Sequence, residues 1–313
     1  MIKFTYINQL IIVLFSINST FSLAATTETI NAREMIEQYG SSFSEKNIGS
    51  LRQIYKQHLV EANYPIPSVS RNLSYGDNPL QTLDIHVPDI QNSESLPVII
   101  FVHGGAFVRG DKSDHVIFDN VLNYFTRNNI IGVNINYRLA PKHKWPSGAE
   151  DISSSIEWIH RNAEKYNIDK NKIFLMGHSA GAAHVATYSF DESLQLNKGN
   201  DGVRGSILLS GVYSKSSDRS KEVYYGAVKN NMPIDYLEGR SIPLFVIDAQ
   251  YDKISMQIEA INLIHKVCKK DNLCPHHKQI PGHNHYSMMY HFNTFDDSIA
   301  SDVLDFVNQH ANN

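Results

Sequence analysis

Apolar runs and amphipathic stretches alternate along most of the chain. The segment LPVIIFVH, residues 96–103, is apolar almost throughout, as expected of a strand buried on both faces of a sheet. By contrast, GAEDISSSIEWIHRNAEKY, residues 148–166, places its apolar side chains at helical spacing. Further strand patterns occur in QTLDIHVP, IIGVNINY, NKIFLMG, RGSILLSG, IPLFVIDA and, weakly, HHKQIPG, and further helical patterns in FDNVLNYFTRN, AGAAHVATYSF, SMQIEAINLIHKVC and SIASDVLDFVNQHA. This alternation predicts an α/β fold with a mostly parallel central sheet and helices on both faces.

Two segments break the alternation. Residues 25–75 are mixed and carry helical spacing in AREMIEQYGSSF and SLRQIYKQHLVEA, which predicts an N-terminal helical or cap segment. Residues 213–241 are polar with little periodicity, and we predict that they form a small cap over the carboxyl end of the sheet. The α/β domain is therefore predicted to span residues 76–313, with 213–241 as an insertion.

The first 24 residues have the pattern of a secretory signal peptide. Lys3 supplies a positive charge, Leu10–Phe15 are apolar, and Ser22–Ala24 offer the small residues that a signal peptidase reads. A buried or anchoring helix is the alternative, but polar residues at 18–20 leave the apolar run short for a bilayer span. We predict cleavage near Ala24, export to the periplasm or the medium, and no stable membrane insertion.

Cysteine content and charge narrow the class of protein. Cys268 and Cys274 are the only cysteines, and an exported chain meets an oxidising compartment, so we predict a disulfide, with free thiols as the alternative. Two thiols are too few for a structural zinc site. The net charge of -4 and the lack of a basic stripe argue against nucleic acid as a partner.

The stretch FLMGHSAGAAHVA, residues 174–186, brings a serine to the end of a predicted buried strand and the start of a helix. Gly177 and Gly181 flank Ser179, and their lack of side chains lets backbone and helix pass close by. The helix N-terminus supplies N–H groups and a positive dipole end for a negative oxygen forming beside the serine. A serine that only caps the helix is the alternative. The surrounding strand and helix favour the Gly-x-Ser-x-Gly nucleophile turn.

A second glycine motif, HGGAF at residues 103–107, follows another predicted buried strand. Attack by a serine on an acyl carbon creates negative charge on the carbonyl oxygen, which needs preorganised backbone donors. The candidate donors are the N–H groups of Gly104, Gly105, Ala106 and Ala180. We predict that His103 holds this loop through hydrogen bonds and is not a base.

A nucleophilic serine also needs a base and an acid that orients the base. In PLFVIDAQYDKIS, Asp252 lies in the loop past a strand and is favoured over Asp248, which lies within the apolar run. In IPGHNHYSMMYHFN, His285 is favoured as the base, with His283 as the runner-up, while His291 lies too close to the closing helix. The order serine, aspartate, histidine is the one expected for this chemistry.

An alternative hypothesis is that His283, His285 and His291 are metal ligands. No carboxylate or cysteine is positioned in the sequence to complete a ligand set, and the serine at the strand end would then lack a purpose. We therefore predict that neither a metal nor an organic cofactor is required.

Taken in chain order, the motifs resemble the α/β-hydrolase fold, in its branch of small carboxylesterases related to hormone-sensitive lipase. The resemblance runs from about Tyr75 to the C-terminus and rests on YGDNPLQTLDIHVP, PVIIFVHGGAFVRGDKS, NYRLAPKHKWPSGAEDISSSIEWI, IFLMGHSAGAAHVA, DAQYDKIS and GHNHYS. It implies a carboxylesterase-type serine hydrolase that cleaves small, short-chain esters through an acyl-enzyme. It also implies Ser179 as nucleophile, Asp252 as acid and His285 as base.

Two other functions stay open. The opening motif, HGG and the nearby GDK also resemble arylformamidases, which use the same triad on amides such as N-formyl-kynurenine and commonly carry Trp where Phe107 stands. A non-catalytic binding protein on a hydrolase scaffold is a remote alternative, since such proteins usually lose a triad residue. Phe107, Tyr224 and Tyr225 are candidates for an acyl or aryl pocket, with ordinary packing as the alternative.

Overall fold

An eight-stranded sheet forms the centre of the part of the chain that the structure describes. In this computed structural model, the strands are β1 Ser68–Ser74, β2 Thr82–Val87, β3 Leu96–Val102, β4 Ile131–Ile135, β5 Ile168–His178, β6 Val203–Leu209, β7 Leu244–Ala249 and β8 His276–Ile280. Their spatial order is β1-β2-β4-β3-β5-β6-β7-β8. Strand β2 pairs antiparallel with β1 and with β4, and all other pairings are parallel. The predicted mostly parallel sheet is confirmed.

The structure describes residues 32–42, 44–57, 67–89, 94–114, 117–214, 219–226, 231–237, 239–294 and 296–312. The predicted signal peptide, with its cleavage near Ala24, lies outside these residues. Within the described ranges, no helix has the length and apolar content that crossing a membrane requires. The predicted disulfide between Cys268 and Cys274 is present and closes the turn that leads into β8.

Helices cover both faces of the sheet, as predicted. They are α1 at residues 32–39, α2 Glu45–Gln57, α3 Phe118–Thr126, α4 Ser147–Tyr166, α5 Ala180–Phe190, α6 Arg219–Tyr225, α7 Ile254–Asp271, α8 Ser287–Tyr290 and α9 Ala300–Ala311. Within β3, Val98 and Ile100 join the core beneath α4 and α5, whereas Ile99 and Phe101 join the core beneath α3 and α9. The apolar run of β3 therefore reflects burial on both faces.

The two segments that break the alternation contain regular structure. Residues 25–75, predicted as a helical or cap segment, include α1 and α2, but they also include the edge strand β1. Residues 213–241 include α6 and a single 3₁₀ turn at Pro233–Asp235. The backbone N–H of Trp145 donates to the carbonyl oxygen of Tyr224 at 3.0 Å, which ties α6 to the loop before α4.

A buried lysine anchors the loop that follows β3. The Lys112 ammonium donates to Asp84 Oδ1 and to Asn72 Oδ1, each at 2.6 Å, and its backbone N–H donates to Asn136 Oδ1 at 2.6 Å. The Lys112 and Asp84 side chains are 2% and 1% exposed. This contact ties the loop between β3 and α3 to β1 and β2 at the same end of the sheet.

Removing this buried cation should destabilise the fold strongly. We expect Lys112→Met to lower the free energy of unfolding by about 3 kcal/mol, because Asp84 would remain buried with only Arg71 as a charged partner. The matched control is Lys172→Met, which breaks a 3.6 Å pair with Asp169 that is partly exposed and should change stability by less than about 1 kcal/mol. Urea unfolding checks both, and equal losses in the two variants would contradict the account.

Candidate active site

Ser179 occupies a strained turn between β5 and α5. Its φ is 56° and its ψ is -118°, a backbone conformation that residues with a side chain rarely adopt. Its N–H donates to the carbonyl oxygen of Leu209 at 2.8 Å, which holds the turn against the end of β6. The Ser179 side chain makes no capping hydrogen bond to α5, so the alternative role as a simple helix cap is not what the geometry shows.

The two glycines of the motif are required by close backbone approach. A Cβ atom added to Gly177 would lie 2.4 Å from the carbonyl oxygen of Gly181, and one added to Gly181 would lie 2.0 Å from that of Val102. Both distances are far below van der Waals contact. The spacing Gly-x-Ser-x-Gly therefore follows from how tightly β5, α5 and β3 pass each other.

The HGGAF loop packs directly against this turn. A Cβ atom added to Gly104 would lie 3.0 Å from Cβ of Ser179, and Gly105, Ala106 and Phe107 all have positive φ, at 142°, 52° and 68°. Burial lowers the pKa of His103, so its ring is neutral, and its Nδ1–H donates to the carbonyl oxygen of Gly104 at 2.7 Å. His103 thus holds the loop, in the manner that the sequence analysis predicts.

Asp252 and His285 form a buried pair. The His285 Nδ1 lies 3.0 Å from Asp252 Oδ1, while Asp252 Oδ2 accepts hydrogen bonds from the N–H of Ala249 at 2.9 Å and from the hydroxyl of Ser210. Burial raises the pKa of Asp252, but the hydrogen bonds from His285, Ser210 and Ala249 outweigh it and hold the pKa below its usual value. The carboxylate is therefore ionised at neutral pH and oriented at both oxygens.

The alternative acid and base are engaged elsewhere. Asp248 accepts hydrogen bonds from His277 at 2.8 Å and from Gln279 at 2.7 Å, both on β8. His283 lies between Ser287, at 3.1 Å, and Asp296, at 3.3 Å. The structure therefore brings together Asp252 and His285, the two residues favoured from the sequence. In the described ranges, no group of three or more His, Cys, Asp or Glu side chains could hold a metal ion.

Ser179 and His285 open onto the same cavity, which has a volume of about 400 Å³. All four candidate oxyanion donors line it: Gly104, Gly105, Ala106 and Ala180. Its apolar wall consists of Phe107, Ile117, Phe118, Val212, Met256, Tyr286, Met289 and Tyr290. A serine on a strained turn, a histidine–carboxylate pair and two backbone segments around one cavity are groups of the kind that acyl transfer uses.

Of the three aromatic residues considered for a pocket, only Phe107 reaches this cavity among the described lining residues. Its ring stacks on Tyr224 with centroids 4.7 Å apart and meets Tyr225 edge-on at 5.3 Å. Tyr224 and Tyr225 are buried behind it, so packing is the role that the structure gives them. Their contacts support the cavity wall from outside.

Sequence reasoning does not single out Ser210. This serine directly follows β6 in the motif LLSG, has a φ of 46° and is buried. Its hydroxyl donates to Asp252, on the loop after the neighbouring strand β7. The only signal in the sequence is a serine at the carboxyl end of a predicted strand, where functional groups of parallel sheets collect.

Three buried histidines surround the site and are neutral. Burial is the main cause that lowers the pKa of His178, His184 and His291 to about 3 in each case. The His178 Nε2–H donates to the carbonyl oxygen of His285 at 2.8 Å. Neither ring nitrogen of His291 has a hydrogen-bond partner among the described residues. Protonating any of these rings in the folded state would place an unsolvated charge in the core.

Stability should therefore fall as the pH falls from 7.5 to 5.5. The folded pKa of each ring lies below the unfolded value of about 6.5, so the unfolded chain binds more protons in this window, and each histidine destabilises the fold by about 1.4 kcal/mol at pH 5.5. We expect His291→Leu to remove about one third of the loss of unfolding free energy that these three rings cause between pH 7.5 and 5.5. Urea unfolding at both pH values measures this loss. His265→Gln, on the exposed side of α7, is the control. The same pH dependence in His291→Leu as in the unchanged protein would refute this explanation.

The chain is similar in sequence to known esterases and lipases. The BD-FAE family model matches residues 83–201. The chain is 29% identical over 177 residues to esterase LipC of Mycobacterium tuberculosis, covering 51% of this chain and 43% of LipC. It is 33% identical over 173 residues to the bile salt-activated lipase of Homo sapiens, covering 50% of this chain and 22% of the lipase.

A solved structure shares the whole fold. Esterase B from Lactobacillus rhamnosis superposes with a TM-score of 0.70 at 16% identity, covering 90% of this chain and 97% of that one. The chain spans less than half the length of the two curated relatives named above. The segment that the BD-FAE family model matches includes the Gly-Gly loop and the serine turn.

Proposed function

We propose that this chain, an α/β-hydrolase of the carboxylesterase type, hydrolyses short-chain carboxylic esters with Ser179 as nucleophile, His285 as base and Asp252 as the acid that orients the base. One observation carries the proposal: Ser179, on its strained turn, and His285, paired with Asp252 at 3.0 Å, line the same cavity. The volume of that cavity, about 400 Å³, is within the range of small-molecule sites and supports a small ester as the substrate.

In the first half-reaction, His285 removes the hydroxyl proton of Ser179 as its oxygen attacks the acyl carbon. The carbonyl oxygen becomes negative and is stabilised by the backbone N–H groups around it. The tetrahedral intermediate then collapses, the bond between the acyl carbon and the alcohol oxygen breaks, and His285 gives its proton to the departing alcohol. The donors proposed for the oxyanion are the N–H groups of Gly104, Gly105, Ala106 and Ala180.

In the second half-reaction, water replaces the alcohol. His285 takes a proton from the water as it attacks the acyl-enzyme, and returns the proton to Ser179 when the acid leaves. Asp252 stabilises the imidazolium that forms twice per cycle, and its low pKa keeps it ionised for that task. No metal or organic cofactor enters these steps.

Ser210 positions Asp252 in this scheme. We expect Ser210→Ala to lower kcat by about tenfold with KM little changed, because Asp252 Oδ2 would keep only the N–H of Ala249 as a donor. The matched control is Ser206→Ala, also a buried serine of the β6 region, whose hydroxyl bonds with Ser189 away from the cavity. Michaelis kinetics with p-nitrophenyl butyrate provide the comparison, and an equal kcat for the two variants would remove Ser210 from the mechanism.

The substrate class is tested by a panel of acyl donors. The panel holds p-nitrophenyl acetate, butyrate and octanoate beside N-formyl-kynurenine, with Ser179→Ala as the blank. If the substrates are short-chain esters as proposed, the acetate and butyrate should be cleaved faster than the octanoate. Preference for the formamide with poor ester turnover would reassign the protein to the arylformamidases and leave the triad in place.

Export is a further part of the proposal. The disulfide between Cys268 and Cys274 supports folding in an oxidising compartment. We expect the mature protein outside the cytoplasm to begin at residue 25. N-terminal sequencing of the exported chain tests this, and an intact Met1 would contradict it.

A further inference from the structure

Arg109 brings a positive charge to the cavity. Its side chain is exposed, the residue lines the cavity, and it forms no ion pair with an acidic group in the described ranges. The acidic groups nearby are already engaged: Asp114, also in the lining, pairs with Arg52 at 2.6 Å, and Asp252 pairs with His285. Within the part of the chain that the structure describes, no acidic side chain therefore pairs with Arg109.

The backbone of Arg109 is fixed relative to the proposed oxyanion donors. Its N–H donates to the carbonyl oxygen of Gly105 at 3.1 Å, and a Cβ atom added to Gly105 would lie 1.8 Å from the carbonyl oxygen of Arg109. The turn therefore folds back on itself and places Arg109 directly beside the Gly104–Ala106 segment. The side chain starts from a rigid base, which reduces the entropy lost when it binds a ligand.

Arg109 shares this cavity with the aromatic residue Tyr286. Burial raises the pKa of Tyr286, and the positive charge of Arg109 acts in the opposite direction. Tyr286 lines the same cavity as Ser179. Lys253 lines it as well, at the N-terminus of the 18-residue helix α7, where the helix dipole is positive. Among the described lining residues, Arg109 and Lys253 are thus the two cationic side chains and Asp114 is the one carboxylate.

We propose that the cavity prefers esters that carry a carboxylate near the scissile bond, bound by the guanidinium of Arg109, over neutral esters of the same shape. The inference rests on the proposed ester hydrolysis. Arginine binds carboxylates through two parallel charge-assisted hydrogen bonds, which suits a half-ester of a dicarboxylic acid or an ester of a hydroxy acid. The carboxylate can belong to the acyl part or to the alcohol part, and the two arms of the test separate these sources.

The test uses pairs of esters that differ only in charge. Monoethyl succinate against ethyl succinamate places the carboxylate or the amide on the acyl part, and 4-acetoxybenzoate against 4-acetoxybenzamide places it on the alcohol part. For each pair, the ratio of kcat/KM for the anionic ester to that for the neutral ester is measured. Because the intrinsic reactivity of each ester cancels between variants, a change in this ratio reports recognition of the charge.

We expect Arg109→Gln to lower the ratio about tenfold for at least one pair and Arg109→Lys to lower it less, since lysine keeps the charge but not the two-pronged geometry. The control is Arg204→Gln, an exposed arginine at the opposite, amino end of β6, which should leave the ratio unchanged. Raising the salt concentration to about 0.5 M should also lower the ratio.

The outcomes separate a failure of the charge preference from a failure of the proposed ester hydrolysis. If Ser179-dependent hydrolysis of the neutral esters is present but Arg109→Gln leaves both ratios unchanged, the charge preference is refuted and the esterase stands. If no ester of either kind is cleaved, the proposed function itself fails, and the preference fails with it.

Discussion

Replacing Ser179 with alanine is expected to lower kcat/KM for p-nitrophenyl butyrate by about 10⁵-fold, because no other group at the turn can form the acyl-enzyme. The residual rate should reflect binding and the backbone donors alone. Initial rates of the purified chain measure the loss, and thermal unfolding followed by circular dichroism checks that the variant is folded.

The matched control is Ser155→Ala. Ser155 is buried on α4, and its hydroxyl donates to the carbonyl oxygen of Ile152, so its loss removes a serine hydroxyl from the core without touching the cavity. This variant should keep kcat within about threefold of the unchanged protein. A folded Ser179→Ala variant with turnover close to that of Ser155→Ala would remove Ser179 from the mechanism.

Replacing Asp252 with asparagine should lower kcat by about 10⁴-fold through the tautomer of His285. The Oδ2 position accepts from Ala249 and Ser210, so an asparagine there would place its carbonyl oxygen towards these two donors and its NH₂ group towards His285 Nδ1. His285 would then accept at Nδ1 and carry its proton on Nε2, where it could no longer take the proton of Ser179.

Asp248→Asn is the control for this variant, because Asp248 contacts His277 and Gln279 and does not contact the cavity. Its kcat should stay within a few fold of the unchanged protein. Nitrogen-15 NMR of the histidine rings reports the tautomer of His285 directly. A drop in kcat that is as large for Asp248→Asn, or an unchanged His285 tautomer in Asp252→Asn, would contradict the assignment of roles.

Much of the fold could be predicted from the sequence because its signals are local. The apolar run of β3 is continuous because that strand is buried on both faces. The apolar residues of α4 recur at helical spacing because that helix is buried on one face. The edge strand β1 could not be predicted in this way. Its sequence, SVSRNLS, has no buried residue, and it is a strand only because it pairs with β2. That pairing depends on the tertiary structure.

The site residues also differ in how far the sequence predicts them. Gly177 and Gly181 could be predicted because close backbone packing permits no other residue there. The loop position of Asp252 favours it over Asp248 in the sequence, but the contacts of Asp248 with β8 and of Asp252 with His285 are visible only in the structure. Ser210 carries only a weak local signal, its place at the carboxyl end of a predicted strand, because its contact with Asp252 joins the ends of two neighbouring strands.

The central claim, that Ser179 is an activated nucleophile, is tested most directly by a covalent serine probe. The purified chain is treated with a fluorophosphonate and analysed by intact mass and peptide mapping. We expect a single adduct on the peptide that contains Ser179. The adduct should be absent in Ser179→Ala and should form far more slowly in Asp252→Asn. An unlabelled protein, or an adduct on another serine that persists in Ser179→Ala, would contradict it.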